Sequence, residues 1–412
     1  MKGQPAHRLT TAHLQAAYPF VAEGGLGGRG AYIGKDLFGG SFTYDAFELY
    51  EQGIVTSPNM VVAGQLGRGK SALVKTLCIR ARIFGRRIVV MDPKGEYAPL
   101  ARFCGTEVIG LRPGGRLRLN PLDERITHQD QLRLLQAISA AALDRTLRPQ
   151  EKTALERALE AAPARGKGEA TLPVVVDSLL NPSDRAGESI SADKAALLDW
   201  GREVAFELRR LVTGDLKGMF DGTTSSSVDL DADVVVLDLS AVYDSDALGI
   251  LMTCAAAWLQ GVLAQESSRK TIFVLDEAWA ILSNLGIAKW LQASFKLSRA
   301  RGLQNIAVMH RFSDLAATGA QGSQQERVAR GLLSDTETKV VYAQPHSEVQ
   351  ATREVLGLTE TEASLLPHLE RGVGLWKVGE RSFLVWHLLG DMERDLVDTD
   401  SRMVRPLAPQ TK

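Results

Sequence analysis

Cysteine is scarce in this 412-residue chain: Cys78, Cys104 and Cys254 are the only three, and no two form a C-x-x-C pair. An odd, scattered set excludes a disulfide framework and a structural zinc site, and it fits a reducing cytosol. Residues 1–20 lack a charged-then-apolar leader, so export by a signal peptide is not expected. Neither sign of charge is in excess. Forty-eight basic residues against forty-nine acidic ones leave a net charge of -1, which excludes a global basic field of the kind a nucleic-acid coat protein carries. Internal repeats and low-complexity tracts are also missing. With 45% hydrophobic and 24% charged residues, the composition is that of a globular protein and not of a disordered chain or a rod. One uncharged run, residues 247–265, is long enough to span a bilayer. It is rich in Ala, Gly, Thr and Gln and lies between two strand-like runs, so it reads as a buried crossover helix.

What is present is an alternation. Strand-like runs at 60–63, 87–91, 234–239, 272–275, 306–309 and 339–342 are mostly separated by helical stretches. That pattern predicts an α/β fold with a mainly parallel central sheet flanked by helices. Runs at 373–378 and 382–388 flank Gly379-Glu380 and predict a hairpin. Residues 129–211 change character: Leu132, Leu135 and Ile138, then Leu155 and Leu159, then Leu197, Val204 and Leu208 recur at helical spacing. The organisation expected is a strand-rich N-terminal segment (1–56), a first part of the main domain (57–125), an all-helical insertion (126–230), a second part (231–395) and a tail (396–412). The insertion should form a helical layer on the nucleotide side of the sheet.

The strongest chemical signal is Gly64-Gln65-Leu66-Gly67-Arg68-Gly69-Lys70-Ser71, which fits G-x-x-x-x-G-K-[ST] between a strand and a helix. Glycines let successive N–H groups point at phosphate oxygens, and the helix N-terminus adds a field favourable to anions. Lys70 should reach the β- and γ-phosphates, and the Ser71 hydroxyl should ligate Mg²⁺. The strand at 272–275 ends in Asp276-Glu277, at the edge where open α/β sheets bind ligands. Asp276 is expected in the Mg²⁺ shell, with Glu277 as the general base that polarises the attacking water. No N-K-x-D guanine-reading motif and no L-S-G-G-Q run occurs, so ATP hydrolysis is the natural reading. Asp92 and Glu96 lie in the turn after the second strand, where they could order water or metal or simply shape the turn. Lys75, Arg80, Arg82, Arg86 and Arg87 are expected on a solvated face.

The phosphate loop, then Asp92-Pro93-Lys94-Gly95-Glu96-Tyr97, then Leu119-Asn120-Pro121-Leu122, then Leu275-Asp276-Glu277-Ala278-Trp279, occur in one order. That series resembles the FtsK–HerA superfamily of ring ATPases. The Leu-Asp-Glu-Ala-Trp run and the ending at 372–400 are similar to the conjugative type IV secretion ATPases of the VirB-four/TraC class. The resemblance implies a RecA-like P-loop NTPase that uses ATP and Mg²⁺ and works as a homo-oligomeric, hexameric ring. It also implies a place on the cytoplasmic face of the cell membrane, other secretion-apparatus subunits as partners and possible DNA contact. The class usually carries a large N-terminal domain, and only some sixty residues precede Gly64 here, so either a stand-alone motor domain or a protein whose N-terminal part is supplied elsewhere is expected. The class also ends the strand after Asp-Glu with a phosphate-sensing Gln; His310 takes that place. Ring ATPases complete each site with an Arg from a neighbour, which points to Arg299, with Arg301 as the alternative. Lys339 could likewise face a neighbour's phosphate. A DNA translocase of the HerA/FtsK type, or a conjugative coupling protein, shares the chemistry and is the alternative function.

Overall fold

The computed structural model describes residues 25–397, apart from 167, 184–191, 215, 230, 244–247, 266–268, 279–284, 311–326, 329–330 and 334–335. The expected tail beyond Thr399 and Trp279 of the Leu-Asp-Glu-Ala-Trp run lie outside the described residues.

Seven strands run parallel in the centre of the sheet. They are β3 (Met60–Ala63), β4 (Arg87–Asp92), β5 (Val108–Gly110), β6 (Val234–Asp238), β7 (Thr271–Leu275), β8 (Leu303–Met309) and β9 (Thr338–Val341). Their sequences are continuous apolar runs because both faces are covered. Alternate residues go to opposite sides. Val61, Val89, Val235 and Phe273 join one apolar cluster, and Met60, Ile88, Val234 and Ile272 join another. The α/β fold with a mainly parallel sheet is therefore what the chain adopts.

Four further strands extend the sheet antiparallel. The expected hairpin is β10 (Val373–Val378) with β11 (Arg381–His387), and β10 pairs with β9. The Gly-rich N-terminal segment supplies β1 (Ala31–Asp36) and β2 (Ser41–Tyr44), and β1 pairs with β11, so this hairpin belongs to the central sheet. The whole order is β2-β1-β11-β10-β9-β3-β8-β7-β4-β6-β5.

Two helices missed in the sequence follow short turns: α1 (Ala46–Glu51), capped by the Asp45 side chain, and α3 (Ala98–Phe103), which has Pro at its first turn. They shield the same face as α2 (Lys70–Arg82), the helix that follows the phosphate loop. Residues 128–213 form four described helices: α4 (His128–Ala142), α5 (Pro149–Arg165), α6 (Leu172–Leu180) and α7 (Lys194–Thr213). The uncharged run becomes α8 (Leu248–Gln265), with Met252, Ala255 and Trp258 fully buried. Among the described residues no helix is long and apolar enough to cross a membrane.

The placement of the insertion differs from expectation. Its α4 packs on α8 and on α9 (Leu285–Leu297), over the sheet face opposite α2. Leu134, Leu135 and Ile138 share one apolar cluster with Val89 and Phe273 of the sheet. The physical reason is that α4 carries an apolar stripe and α8 is apolar almost all round, so the outer side of α8 needs a cover.

Candidate nucleotide site

The phosphate loop leaves the end of β3. A Cβ on Gly64 would lie 2.6 Å from Tyr342 Cβ, so this position admits only glycine. Tyr342 is fixed there because its N–H donates to Ala63 O at 2.8 Å. The loop is tied down by backbone bonds: Gln65 N–H donates to Ala343 O at 3.0 Å, and Gly372 N–H donates to Arg68 O at 3.1 Å. Gly69 precedes α2 at φ 116°, and its helix N-terminus has no side-chain cap. Such an end presents unpaired N–H groups, which is an anion-binding arrangement.

Gly67, Gly69, Lys70 and Ser71 line a cleft of about 290 Å³, with Asp276, Glu277 and His310 across from them. Leu66 lies at its rim and is exposed. Lys70 Nζ donates to Gly64 O at 2.5 Å and Gln65 O at 3.0 Å. Burial holds its pKa down at about 8, against the raising effect of Asp276 and Glu277. Asp276 is buried, and its Oδ1 accepts from the Glu277 N–H at 3.0 Å. Burial, then the charges of Glu277, Asp92 and Glu96, push its carboxyl up to about 7. Glu277 adopts φ 54°, unusual for a residue with a side chain. Its Oε1 accepts from His310 Nε2 at 2.6 Å and pairs with Lys94 Nζ. Burial alone would raise the Glu277 carboxyl, yet His310 and Lys94 together hold it at about 2.

Lys94 is the residue the sequence reading passed over, although it stands inside the Asp-Pro-Lys-Gly-Glu run. Asp92 explains its position. The buried Asp92 carboxylate accepts from Lys94 N–H at 3.2 Å and Tyr97 N–H at 2.8 Å, folding the turn that brings Lys94 over the cleft. Arg371 also lines the cleft and had no local signal.

Other expected residues lie elsewhere. Arg299 is exposed in a separate cavity with Thr56, Asn59, Thr336 and Glu337, before β8 begins, whereas His310 follows its end. A seven-residue strand separates them by roughly 23 Å. Within one chain Arg299 is therefore not brought to the cleft. Arg301 pairs with Asp130 of α4 at 3.5 Å, and Lys339 donates to Leu356 O at 2.8 Å. Of the five cations expected on a solvated face, Lys75 and Arg87 are buried and Arg80, Arg82 and Arg86 are half-buried. Lys75 is buried against the Tyr97 ring at 5.3 Å. Arg80 holds Glu393 of the helix Asp391–Val397 through Nε at 2.8 Å and Nη2 at 2.5 Å, and donates to Leu388 O at 2.6 Å.

The donor set suits a magnesium nucleotide. No group of three or more His, Cys, Asp or Glu that could hold a metal occurs among the described residues. An all-protein cage is thus not on offer. Ser71 and Asp276 face one cleft, and Mg²⁺ characteristically takes one or two protein oxygens plus phosphates and water.

Sheet, phosphate loop and paired acids together define a P-loop NTPase, and the chain belongs to the AAA-like domain family, whose model matches residues 51–331. Protein TraC of Escherichia coli (strain K12) is 24% identical over 300 residues, which are 71% of this chain and 33% of that protein. The chain thus spans about a third of the length of that relative. The fold is shared with the structure of VirB4 of Thermoanaerobacter pseudethanolicus, at TM-score 0.74 and 22% identity over 90% of this chain and 99% of that one. It is shared more distantly with the plasmid coupling protein TrwB in complex with ADP and Mg²⁺, at TM-score 0.58 and 15% identity over 90% of this chain and 92% of that one.

Proposed function

We propose that this chain is the ATP-hydrolysing motor of a conjugative type IV secretion apparatus, energising substrate export or pilus assembly as a hexameric ring. The observation that carries the reading is the convergence of the phosphate loop, Ser71, Asp276 and Glu277 on one cleft. Likeness to TraC and VirB4 supports the cellular setting. The ring would sit on the inner face of the cell membrane, among other subunits of the apparatus.

In this reading Lys70 and the N–H groups of residues 64–71 bind the β- and γ-phosphates. Ser71 and Asp276 hold Mg²⁺, which when bound neutralises phosphate charge. Glu277 takes a proton from water as the water oxygen bonds to the γ-phosphorus and ADP leaves. His310 stands where a sensor Gln is found in the class, within reach of Glu277. Arg299, remote from its own cleft, would serve a neighbour's site and neutralise charge there in the transition state. The helices at 128–213 would contact cargo or partner subunits. Lys70→Ala should abolish hydrolysis and weaken nucleotide binding, because a charge on the β- and γ-phosphates is lost; phosphate release and titration with ATP check both. A Lys70→Ala protein that hydrolyses ATP at the parental rate would place the chemistry elsewhere.

A DNA translocase or coupling protein is the second reading, favoured by the likeness to TrwB. Turnover stimulated several-fold by long double-stranded DNA, in a length-dependent way, would select it over the secretion motor.

A further inference from the structure

Glu277 is nearly sealed from solvent, at 1% side-chain exposure, while Lys94 beside it is 24% exposed. Both side chains line the cleft, and Lys94 is the more open of the two. An anion in the cleft has the more exposed lysine within its surroundings, beside the nearly sealed acid. The Lys94 Nζ is also 3.2 Å from His310 Nε2. A ring nitrogen that donates its proton to Glu277 has no lone pair left for Lys94, so the carboxylate is the partner that holds the lysine here. The pairing keeps Lys94 charged although burial opposes it. Its charge is felt at Lys70, the phosphate-loop lysine, so the two cations flank one region. Finally, the lysine is aimed by the Asp92-centred turn, with Gly95 at φ 70° completing it, and not by a long flexible loop.

We propose that Lys94 is a reader of the terminal phosphate, with two anionic partners in turn: the Glu277 carboxylate, as seen here, and the γ-phosphate of a bound nucleoside triphosphate. A γ-phosphate carries more charge than a carboxylate and offers three acceptor oxygens. Transfer of Lys94 to it removes one of the two groups, His310 and Lys94, that hold the Glu277 carboxylate down, and makes that carboxylate readier to accept a proton from water. A diphosphate has no group at that position and leaves Lys94 on Glu277. The cleft thereby acquires an active base only when the hydrolysable nucleotide is in place. This inference rests on the reading of the cleft as the ATP site.

The test is a double-mutant cycle with Lys94→Met and Glu277→Gln, titrated with ADP and with a non-hydrolysable ATP analogue, both with Mg²⁺. In the Glu277→Gln background Lys94 has no acid to leave. There Lys94→Met should weaken the triphosphate analogue about tenfold, the size expected for one lost charge-assisted hydrogen bond, and ADP by less than twofold. With Glu277 present the triphosphate loss should be smaller, because the lysine must first give up its ion pair. ADP affinity doubles as the check that the cleft is folded. Equal losses for ADP and the triphosphate, or no triphosphate loss in the Glu277→Gln background, would overturn the proposal. Parental protein that binds neither nucleotide would instead contradict the ATP-site reading itself.

Discussion

A side chain's position is legible in the sequence where the backbone next to it fixes the geometry. Gly64 to Ser71 and the pair Asp276-Glu277 are of this kind: a strand end, a turn and a helix start set their positions within a few residues. Lys94 and Arg371 reach the cleft only through tertiary packing, so no spacing rule marks them. Arg80 was misread for the same reason, since its partner Glu393 is 313 residues away. That C-terminal region carries a titratable group with a consequence for stability. His387 is buried, its Nε2 lies 2.8 Å from Thr76 Oγ1, and burial with the nearby Arg80 charge lowers its pKa from 6.5 to about 4. The unfolded chain therefore binds a proton here between pH 6.5 and about 4 that the folded chain does not. Stability from this group is complete above pH 6.5 and is lost as pH falls towards 4, by about 1.4 kcal/mol per pH unit at most. Denaturant titrations at pH 7 and pH 5 should show His387→Gln losing less stability on acidification than the parent. An identical loss in both would remove His387 from the acid response.

Elements with one dominant local pattern were read correctly. Six of the seven parallel strands declare themselves as apolar runs, and the 373–388 hairpin by its Gly379-Glu380 turn; β5, only three residues long and bounded by Gly110, does not. Pairing partners are another matter. That β1 lies against β11 depends on where the C-terminal hairpin ends in space, which no local pattern encodes. Likewise the helical character of residues 128–213 was visible, but not the face they cover. Because Leu135 of α4 is fully buried in a cluster that includes Phe273 of β7, insertion and sheet should unfold together. Leu135→Ala should lower global stability by about 2–5 kcal/mol, shifting a shared urea transition. A helical transition that moves alone, with near-ultraviolet signals of the sheet unchanged, would mean that the insertion folds independently. The Arg301–Asp130 ion pair, on the loop that also carries Arg299, joins the same two layers.

For the whole molecule, the exposed position of Arg299, a strand's length from its own cleft, is what a residue serving a neighbour requires. Arg299→Ala should lose activity by on the order of 10³-fold. Mixing it with Lys70→Ala protein should restore part of that activity, since some mixed interfaces would hold an intact loop opposite an intact Arg299. Verified mixed rings without any recovery would assign Arg299 a role within its own chain or none. The central claim is narrower than the ring: this cleft hydrolyses ATP, with Glu277 as its base. Phosphate release by the purified chain, measured beside Glu277→Gln at matched nucleotide occupancy, tests it most directly. The account predicts turnover in the parent, and in Glu277→Gln a loss of about 10²–10⁴-fold with ATP binding kept or strengthened. Equal turnover in the two proteins would contradict it.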